Sequence, residues 1–347
     1  MKFLFAAFAL LVTLANPAAE ALDGGDFQTL QRDNDFAELM KQLDLNCSTC
    51  ALEYKNTGTS VGIKAAQGNT KLGKWVPRNS ATNPEAQVVS YHLGRFLHMS
   101  ENVMPSAYYR LTGGALATFR DILASANERN RWRRVNRDDI LKAIAATDSA
   151  TGLKGVFTPK LAGDSLEVTG LANPSANTIN SSHPIARFIR ADGPMPSGSK
   201  RIGLAGVKKK SGEIPSETEL ELARQFSKIM VLDMLTGQWD RWSGGNVEAS
   251  WSGTRVYFLA RDNGGASMAG GDKIAKYSKI VTRFDRAQIL RVRRLVEALS
   301  SVNEAPRLMR SLNLASKPSY LLARAKAVLA HVQAVQASYG AEAFFAD

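Results

Sequence analysis

The chain has 347 residues, of which 44% are apolar, enough for a substantial buried core in one large domain or two smaller ones. This composition excludes a disordered or fibrous protein. The 44 Lys and Arg residues outnumber the 32 Asp and Glu residues, and the resulting net charge of +12 favours acidic partners.

The chain begins with a segment typical of an exported protein. Lys2 is followed by the apolar run FLFAAFALLVTLA and then by Ala19-Glu20-Ala21, the small-x-small pattern of a cleavage site. We therefore expect residues 1–21 to be a signal peptide, because the apolar run is too short to span the ~30 Å hydrocarbon core of a bilayer. No later segment is predicted to span either. The expected destination is a periplasm, a secretory-pathway lumen or the outside.

The two cysteines, Cys47 and Cys50, form the motif CSTC. In an oxidising compartment we expect one local disulfide, which closes a short loop and stabilises little. A thioredoxin-like site requires such a motif to open a helix, whereas loop and strand are predicted after this one. A zinc site needs about four ligands, and no second cysteine pair is present.

Residues 57–76 predict a β-hairpin, since two β-prone runs flank the turn signal Gln67-Gly68-Asn69. The next predicted element is a helix capped by Asn83 with Pro84 in its first turn. One face of this helix carries apolar residues at helical spacing. These residues are Val89, Leu93, Phe96 and Leu97.

The middle of the chain predicts a strand in SAYYRL, two amphipathic helices within 114–147, and short strands alternating with turn residues over 153–204. From residue 217 to the end the pattern is mostly helical, with one apolar strand, RVYFLAR. This order predicts an α+β protein with a small sheet-plus-helix lobe and a mainly helical lobe. Ligands usually bind between two such lobes.

Positive charge is densest in residues 129–137, RNRWRRVNR, and in the lysine run 208–210. An aromatic residue among arginines is compatible with nucleic-acid binding. In an exported protein, however, solvated surface segments are the favoured interpretation, and we expect no nucleic-acid partner. An acidic protein, a glycan or an anionic surface is a compatible partner.

The stretch VLDMLTGQWDRWSGGN, residues 231–246, joins a predicted buried helix to a polar loop. The helix is apolar nearly all round after Ile229, which is typical of a core helix. We expect Asp233, inside this helix, to be buried and bonded to the loop that it supports. The loop itself contains Asp240, Arg241 and Asn246, with Gly244 and Gly245 allowing a tight turn.

A second carboxylate follows the strand at residues 256–260, in the turn Asp262-Asn263-Gly264-Gly265. Two carboxylates and an amide on loops of a rigid scaffold are the groups used in metal-assisted phosphoryl transfer. In that chemistry one Asp orients the attacking hydroxyl, while the other Asp and the Asn hold magnesium.

These motifs resemble those of a known kinase family. VLDMLTGQWDRWSGGN followed by ARDNGG is similar to the catalytic loop and metal-binding turn of the secretory-pathway kinases related to Golgi casein kinase and four-jointed. More distantly it resembles HipA-like and phosphatidylinositol kinases. EAQVVSYHLGRFLHMSENVMPS is similar to the regulatory helix of the same family, and the two matches cover residues 85–110 and 220–266.

The resemblance implies a bilobal atypical protein-kinase-like fold, ATP with Mg or Mn, and a protein serine or a sugar hydroxyl as acceptor. It implies that Asp240 is the catalytic base, that Arg241 braces the loop, and that Asp262 is a metal ligand. Asn246 is the further candidate metal ligand.

The chain departs from the family pattern at several positions. Trp242 stands where the family has His, and Asn246 lies six residues after Asp240 rather than five. A gapless match places Val76 at the position of the Lys that precedes a proline, and Gln87 at the position of its ion-paired Glu.

Helix and strand geometry provides alternatives for binding the ATP phosphates. Lys74 shares the strand face of Val76, and Glu85 lies on the predicted inward face of the helix, whereas Gln87 points away. Lys64, in VGIKA, resembles the Val-Ala-Ile-Lys strand of ordinary kinases. The four candidates are therefore Lys64, Lys74, Glu85 and Gln87, with Lys74 and Glu85 taken as the pair. The alternative interpretations are surface lysines and a carboxylate that complements the helix dipole.

The predicted organisation is a signal peptide (1–21), an N-terminal extension with the CxxC motif (22–56), a kinase-like N-lobe with a helical insert (57–205) and a kinase-like C-lobe (206–347). Three functions are compatible with it. They are an exported kinase, a pseudokinase that binds nucleotide or only a partner, and a basic binding module for glycans or acidic surfaces. The oligomeric state is not predicted.

Overall fold

The structure is a computed structural model that describes most of the chain. The described ranges are 26–55, 60–80, 83–161, 164–168, 170–173, 175–176, 178–195, 204–205, 219–242, 246–252, 255–266, 274–314 and 318–346. The predicted signal peptide at 1–21, the lysine run 208–210, Gly244 and Gly245 lie outside the described residues.

The N-lobe contains a five-stranded antiparallel sheet with the order β1-β2-β3-β5-β4. Its strands are β1 (Cys50–Tyr54), β2 (Ile63–Gln67), β3 (Thr70–Pro77), β4 (Ala107–Leu111) and β5 (Leu153–Pro159). The predicted hairpin is confirmed, with Gly68 at a φ of 54° between β2 and β3. Strand β1 lies within 22–56, the predicted extension, and it forms one edge of this sheet.

Four helices belong to this half of the chain: α1 (Gln31–Gln42), α2 (Glu85–Phe96), α3 (Gly113–Ser125) and α4 (Arg131–Ala145). Helices α3 and α4 confirm the predicted helical pair. Trp75 of β3 packs edge-on against Phe119 of α3, with ring centroids 5.3 Å apart. Because side chains alternate along a strand, Lys74 and Val76 lie on the opposite face, which α2 approaches through Gln87.

The disulfide predicted between Cys47 and Cys50 is present just before and at the start of β1. The disulfide closes a ring that contains only residues 47–50. It therefore constrains the chain locally, as expected.

A second sheet has the strand order β11-β10-β6-β9. The remaining strands are β6 (Asp164–Val168), β7 (Ala172–Asn173), β8 (Thr178–Ile179), β9 (Leu204–Ala205), β10 (Val247–Ser252) and β11 (Arg255–Ala260), with the short helix α5 (Pro184–Phe188) before β9. The prediction of a single strand after residue 217 was wrong, because β10 pairs with β11 as a hairpin. The alternation VEASWS is a strand signal that was missed.

The helices of the C-lobe are α6 (Glu219–Thr236), α7 (Ile274–Tyr277), α8 (Arg286–Ser300), α9 (Ala305–Ser311) and α10 (Pro318–Tyr339). The second half of α6 is buried on all sides, with Ile229, Val231 and Met234 closed to solvent, which confirms the predicted core helix. In the described part of the chain, none of the helices combines the length and the apolar character needed to cross a bilayer.

The two lobes are joined at both ends of α2. Before the helix, Asn83 donates its backbone N–H to the carbonyl of Gly264, at 3.2 Å. After it, Asn102 Nδ2 donates to the carbonyl of Phe258 at 2.9 Å and to Gln225 Oε1 at 3.2 Å. These contacts hold α2 against the strand and turn that carry Asp262.

Candidate functional site

Arg241 is the centre of the loop that follows α6. Its Nε and Nη2 donate to the two carboxylate oxygens of Asp233 at 2.8 and 2.7 Å. Nη1 donates to the carbonyls of Asn246 and Arg261 at 2.7 and 2.8 Å, and Nη2 also donates to Asn263 Oδ1 at 2.6 Å. All five guanidinium N–H groups are therefore used, and one side chain holds three segments together.

The Arg241 and Asp233 side chains are both 0% exposed. Burial opposes the charge on Arg241, but the adjacent Asp233 carboxylate and its hydrogen bonds outweigh burial and raise the pKa of the guanidinium. The expectation that Asp233 is buried and bonded to the loop is confirmed. Arg241 lies where a loop-bracing residue was predicted.

Asp262 follows β11 in the left-handed region, with φ 48° and ψ 52°. Among residues other than Gly, Asn and Asp adopt this conformation most readily, and it still costs about 1 kcal/mol. The neighbouring Asn263 is buried and donates from Nδ2 to the carbonyl of Ala260 at 3.2 Å, while its Oδ1 accepts from Arg241. The turn after β11 is thus fixed by side-chain hydrogen bonds.

Gln238 links the loops that carry the two carboxylates. Its Oε1 accepts from the backbone N–H of Asp240, and its Nε2 donates to the carbonyl of Asp262, both at 3.2 Å. Its own carbonyl accepts from the hydroxyl of Tyr277 at 2.7 Å. Gln238 was not predicted as a site residue. The available sequence signal was a polar amide shortly after the apolar helix α6.

The two loops also touch directly at Gly265. A Cβ atom at this position would lie 2.5 Å from Gln238 Oε1 and 2.9 Å from Asp240 Cβ. No side chain fits there without displacing one of the loops. The loops that carry Asp240 and Asp262 are consequently in direct contact.

Asn246 joins the same cluster, donating from Nδ2 to the carbonyl of Asp240 at 2.5 Å and lying 3.5 Å from Asp240 Oδ2. In the described residues no group of three or more His, Cys, Asp and Glu side chains forms a metal site. Mg²⁺ typically binds through one or two carboxylates together with substrate phosphates, so the oxygen donors of Asp262 and Asn246 fit a metal bound with nucleotide.

On the N-lobe, Lys64 and Lys74 are directly opposite each other on β2 and β3. Paired residues of antiparallel strands point to the same face, so both lysines project from the face that α2 approaches. Lys64 is exposed and Lys74 is half-buried. Of the two predicted lysines, Lys74 therefore lies deeper.

Lys55, directly after β1, is a further cation on this face that was not predicted. It is 9% exposed, and its Nζ donates to Ser60 Oγ at 2.6 Å. Burial, with Lys74 next in size, lowers the pKa of the Lys55 ammonium to about 8. Asp262 acts in the opposite direction, which shows that Lys55 lies within electrostatic range of the C-lobe carboxylate. A sequence signal could have placed it there: side chains alternate along a strand, so Lys55 lies on the same face as Glu53, the partner of Lys64.

The ends of the segment between β1 and β2 are held by Arg133 of α4. Its Nη2 donates to the carbonyl of Lys55 at 2.7 Å and its Nη1 to the carbonyl of Ser60 at 3.5 Å. Glu128 pairs with the same guanidinium at 2.8 Å and accepts a short hydrogen bond from the Tyr54 hydroxyl. Helix α4 of the insert thus contacts the residues on either side of the segment between β1 and β2.

The apolar face predicted for α2 is buried, but the predicted placement of Glu85 inward and Gln87 outward was wrong. Gln87 is 6% exposed and its Oε1 accepts from Thr158 Oγ1 at 3.3 Å, whereas Glu85 is partly exposed and pairs with Lys154 at 3.4 Å rather than with Lys74. The helix lies between the sheet and the C-lobe and is buried on several sides, so a single inward stripe did not describe it. A neutral amide therefore occupies the inner position.

Trp242 and Val76, two departures from the family pattern, are core residues. Trp242 is closed to solvent and packs on Phe226 with ring centroids 5.6 Å apart. Val76 is buried within β3, where it pairs with Val156. Both positions are filled by packing, and neither offers a polar group to a ligand.

No protein-family model matches the chain, and no curated protein matches it in sequence. Solved structures do match. The crystal structure of the Golgi casein kinase with Mn/ADP bound has a TM-score of 0.57 and 14% identity, over 90% of this chain and 78% of that one. The structure of hydra Fam20 with sugar has a TM-score of 0.57 and 13% identity, over 90% of this chain and 93% of that one. At these identities the likeness establishes the fold, and the predicted bilobal atypical kinase fold is confirmed.

Proposed function

We propose that this protein is an exported atypical kinase that transfers the γ-phosphate of ATP to a hydroxyl of a protein or glycan acceptor. The observation that carries the proposal is the Arg241 network. In this network a buried cation and its five hydrogen bonds hold the loops of Asp240 and Asp262 against each other. Such rigidity is what phosphoryl transfer requires, since its catalysis depends on positioning and charge stabilisation.

The residues take separate roles in this proposal. Asp240 accepts the proton of the acceptor hydroxyl and orients its oxygen for attack. Asp262, with Asn246 as second ligand, holds Mg or Mn together with the nucleotide. The bound metal supplies charge neutralisation at the β- and γ-phosphates.

Cations of the N-lobe face the phosphates from the other side. Lys74 and Lys55 are the proposed phosphate contacts, because both lie on the sheet face towards α2 and Lys55 is within range of Asp262. Lys64 is exposed and Glu85 is engaged by Lys154, so we place both at the edge of the site.

The first test measures thermal unfolding of the purified protein with ATP and Mg or Mn, and phosphate transfer to an acidic protein such as casein. We expect a metal-dependent rise in the midpoint that Asp262→Asn loses. Asp240→Asn should keep that rise and lose transfer. The control is Asp121→Asn, an exposed carboxylate on α3 that should behave as wild type. If neither ATP with Mg nor ATP with Mn changed the unfolding midpoint, the proposal would be contradicted.

Nucleotide binding without phosphate transfer is the second candidate function. It is favoured by Gln87, a neutral amide at the inner position of α2 where the kinase family pattern has a carboxylate. If it is correct, wild type binds ATP without transferring phosphate. Gln87→Glu then increases the metal dependence of binding, whereas Gln87→Leu does not.

A further inference from the structure

The first turns of α4 present apolar and cationic side chains together on the surface. Trp132 is 65% exposed and Val135, one turn later, is 41% exposed. Arg129, Arg131 and Arg134 surround them and are also exposed. We call these five residues the α4 surface.

The arginines of the α4 surface differ from others nearby. None of the three forms an ion pair with a described residue, whereas Arg120 and Arg137 each pair with the Asp next in sequence at 2.9 Å. An exposed Trp among unpaired arginines has the composition of an interface hot spot, in which Trp and Arg are enriched. Its charge selects for an acidic occupant.

We propose that the α4 surface is a docking site for an acidic protein segment that places one apolar side chain on Trp132 and Val135. A protein segment fits better than a nucleic acid. Asp139, seven residues after Trp132 on the same helix face, would repel a phosphate backbone that continued along the helix. Val135 offers an aliphatic contact and no surface for base stacking.

The α4 surface does not include Arg133, the buried residue of α4 that donates to the carbonyl of Lys55 beside the candidate phosphate-transfer site. Helix α4 belongs to the insert that covers the Trp75 face of the sheet, whereas Lys74 and Gln87 lie at the opposite face. Docking there positions a partner protein rather than the reacting hydroxyl. The inference therefore does not depend on whether the protein transfers phosphate.

The test uses fluorescence anisotropy at about 0.1 M salt, where the Debye length is about 10 Å. The probe is a short fluorescein-labelled peptide of Asp and Glu around a single Phe, and its comparison replaces the Phe by Ala. We expect Trp132→Ala to weaken binding of the Phe peptide about tenfold or more. The triple variant Arg129→Glu, Arg131→Glu, Arg134→Glu should abolish it.

The matched controls are distant from α4. Leu290→Ala removes another exposed apolar side chain, and Arg293→Glu, Arg307→Glu, Arg310→Glu reverses the same number of exposed charges on α8 and α9. Both should bind as wild type, and Asp262→Asn should also retain binding, which separates this test from that of the catalytic proposal.

Three outcomes would overturn the inference. Equal losses in the control triple variant would show that only the overall charge attracts the peptide. Tighter binding of a labelled single-stranded oligonucleotide, lost in the same α4 variants, would assign the surface to nucleic acid. Concentration-dependent self-association that Trp132→Ala removes would assign it to a second copy of the chain.

Discussion

The guanidinium of Arg241 and the carboxylate of Asp233 form a bidentate ion pair that is closed to solvent and joins the end of α6 to the loop carrying Asp240. A buried pair gains little over an apolar pair, but removing one partner leaves an uncompensated charge. The arrangement is therefore a positioning device, since the same guanidinium also holds Asn246 and Asn263.

Asp233→Asn is expected to lower the free energy of unfolding by about 3 to 5 kcal/mol, because the Arg241 charge stays buried without its partner. Urea denaturation measures the loss. The double variant with Arg241→Gln should lose less than the sum of the two single variants. Asp121→Asn, in an exposed pair with Arg120, is the control and should change stability by less than about 1 kcal/mol. If the losses of unfolding free energy in the two single variants were additive in the double variant, Asp233 and Arg241 would not be energetically coupled.

Gly265→Ala is expected to separate the loops of Asp240 and Asp262. The added Cβ would lie 2.5 Å from Gln238 Oε1 and 2.9 Å from Asp240 Cβ, and the Gln238 side chain is buried. We expect a lower unfolding midpoint and a loss of the rise produced by ATP and Mg. Gly114→Ala is the matched control, since its Cβ would meet only Asn46 Oδ1 at 4.0 Å and Ala favours the helix. A normal nucleotide response in Gly265→Ala would show that the loops adjust.

Local patterns predicted several helices and the β2–β3 hairpin, but they missed β10 and the contacts of Gln238 with the loops of Asp240 and Asp262. The apolar run of α6 predicted a core helix, and a lone carboxylate inside it, Asp233, had to be satisfied by the loop that follows. The hairpin of β2 and β3 and the helices α2, α3 and α4 follow from spacing and turn residues. Short-range information determines each of these features.

The N-lobe half depends on contacts between distant segments, and sequence reasoning did not reach it. The burial of Gln87 follows from its contact with Thr158 of β5, on a side of α2 that helix periodicity treats as outward. Lys55 is a proposed site residue because β1 joins the sheet from a segment predicted to be an extension, and because Arg133 from the insert holds its backbone. Both relationships join segments that are far apart in the sequence.

Arg133→Lys is expected to weaken binding of ATP and Mg by about tenfold without abolishing the fold. A lysine keeps the charge but cannot contact Glu128 and the carbonyls of Lys55 and Ser60 in one planar arrangement. Isothermal titration calorimetry measures the affinity, and Arg134→Lys, at an exposed position on the same helix, serves as the control. Unchanged affinity would show that the segment between β1 and β2 does not need this brace.

Nucleotide affinity is expected to depend on pH through Lys55. Burial, followed by Lys74, lowers the pKa of its ammonium to about 8, with smaller lowering contributions from Arg133 and Lys64 and a raising one from Asp262. A bound polyphosphate raises this pKa again, so the protonated lysine binds more tightly. Its contribution is complete below pH 8 and is lost as the pH rises above that value, by at most about tenfold per pH unit.

The measurement is direct binding of a fluorescent ATP analogue with Mg between pH 7 and 9.5. Unfolding midpoints are unsuitable, because the lowered pKa of Lys55 alone makes the free protein more stable as the pH rises from about 8 towards 10.5. Lys55→Arg keeps its charge throughout this range and should bind with nearly constant affinity. If the arginine variant loses affinity with the same slope as wild type, the titrating group lies elsewhere and Lys55 does not contact the phosphates.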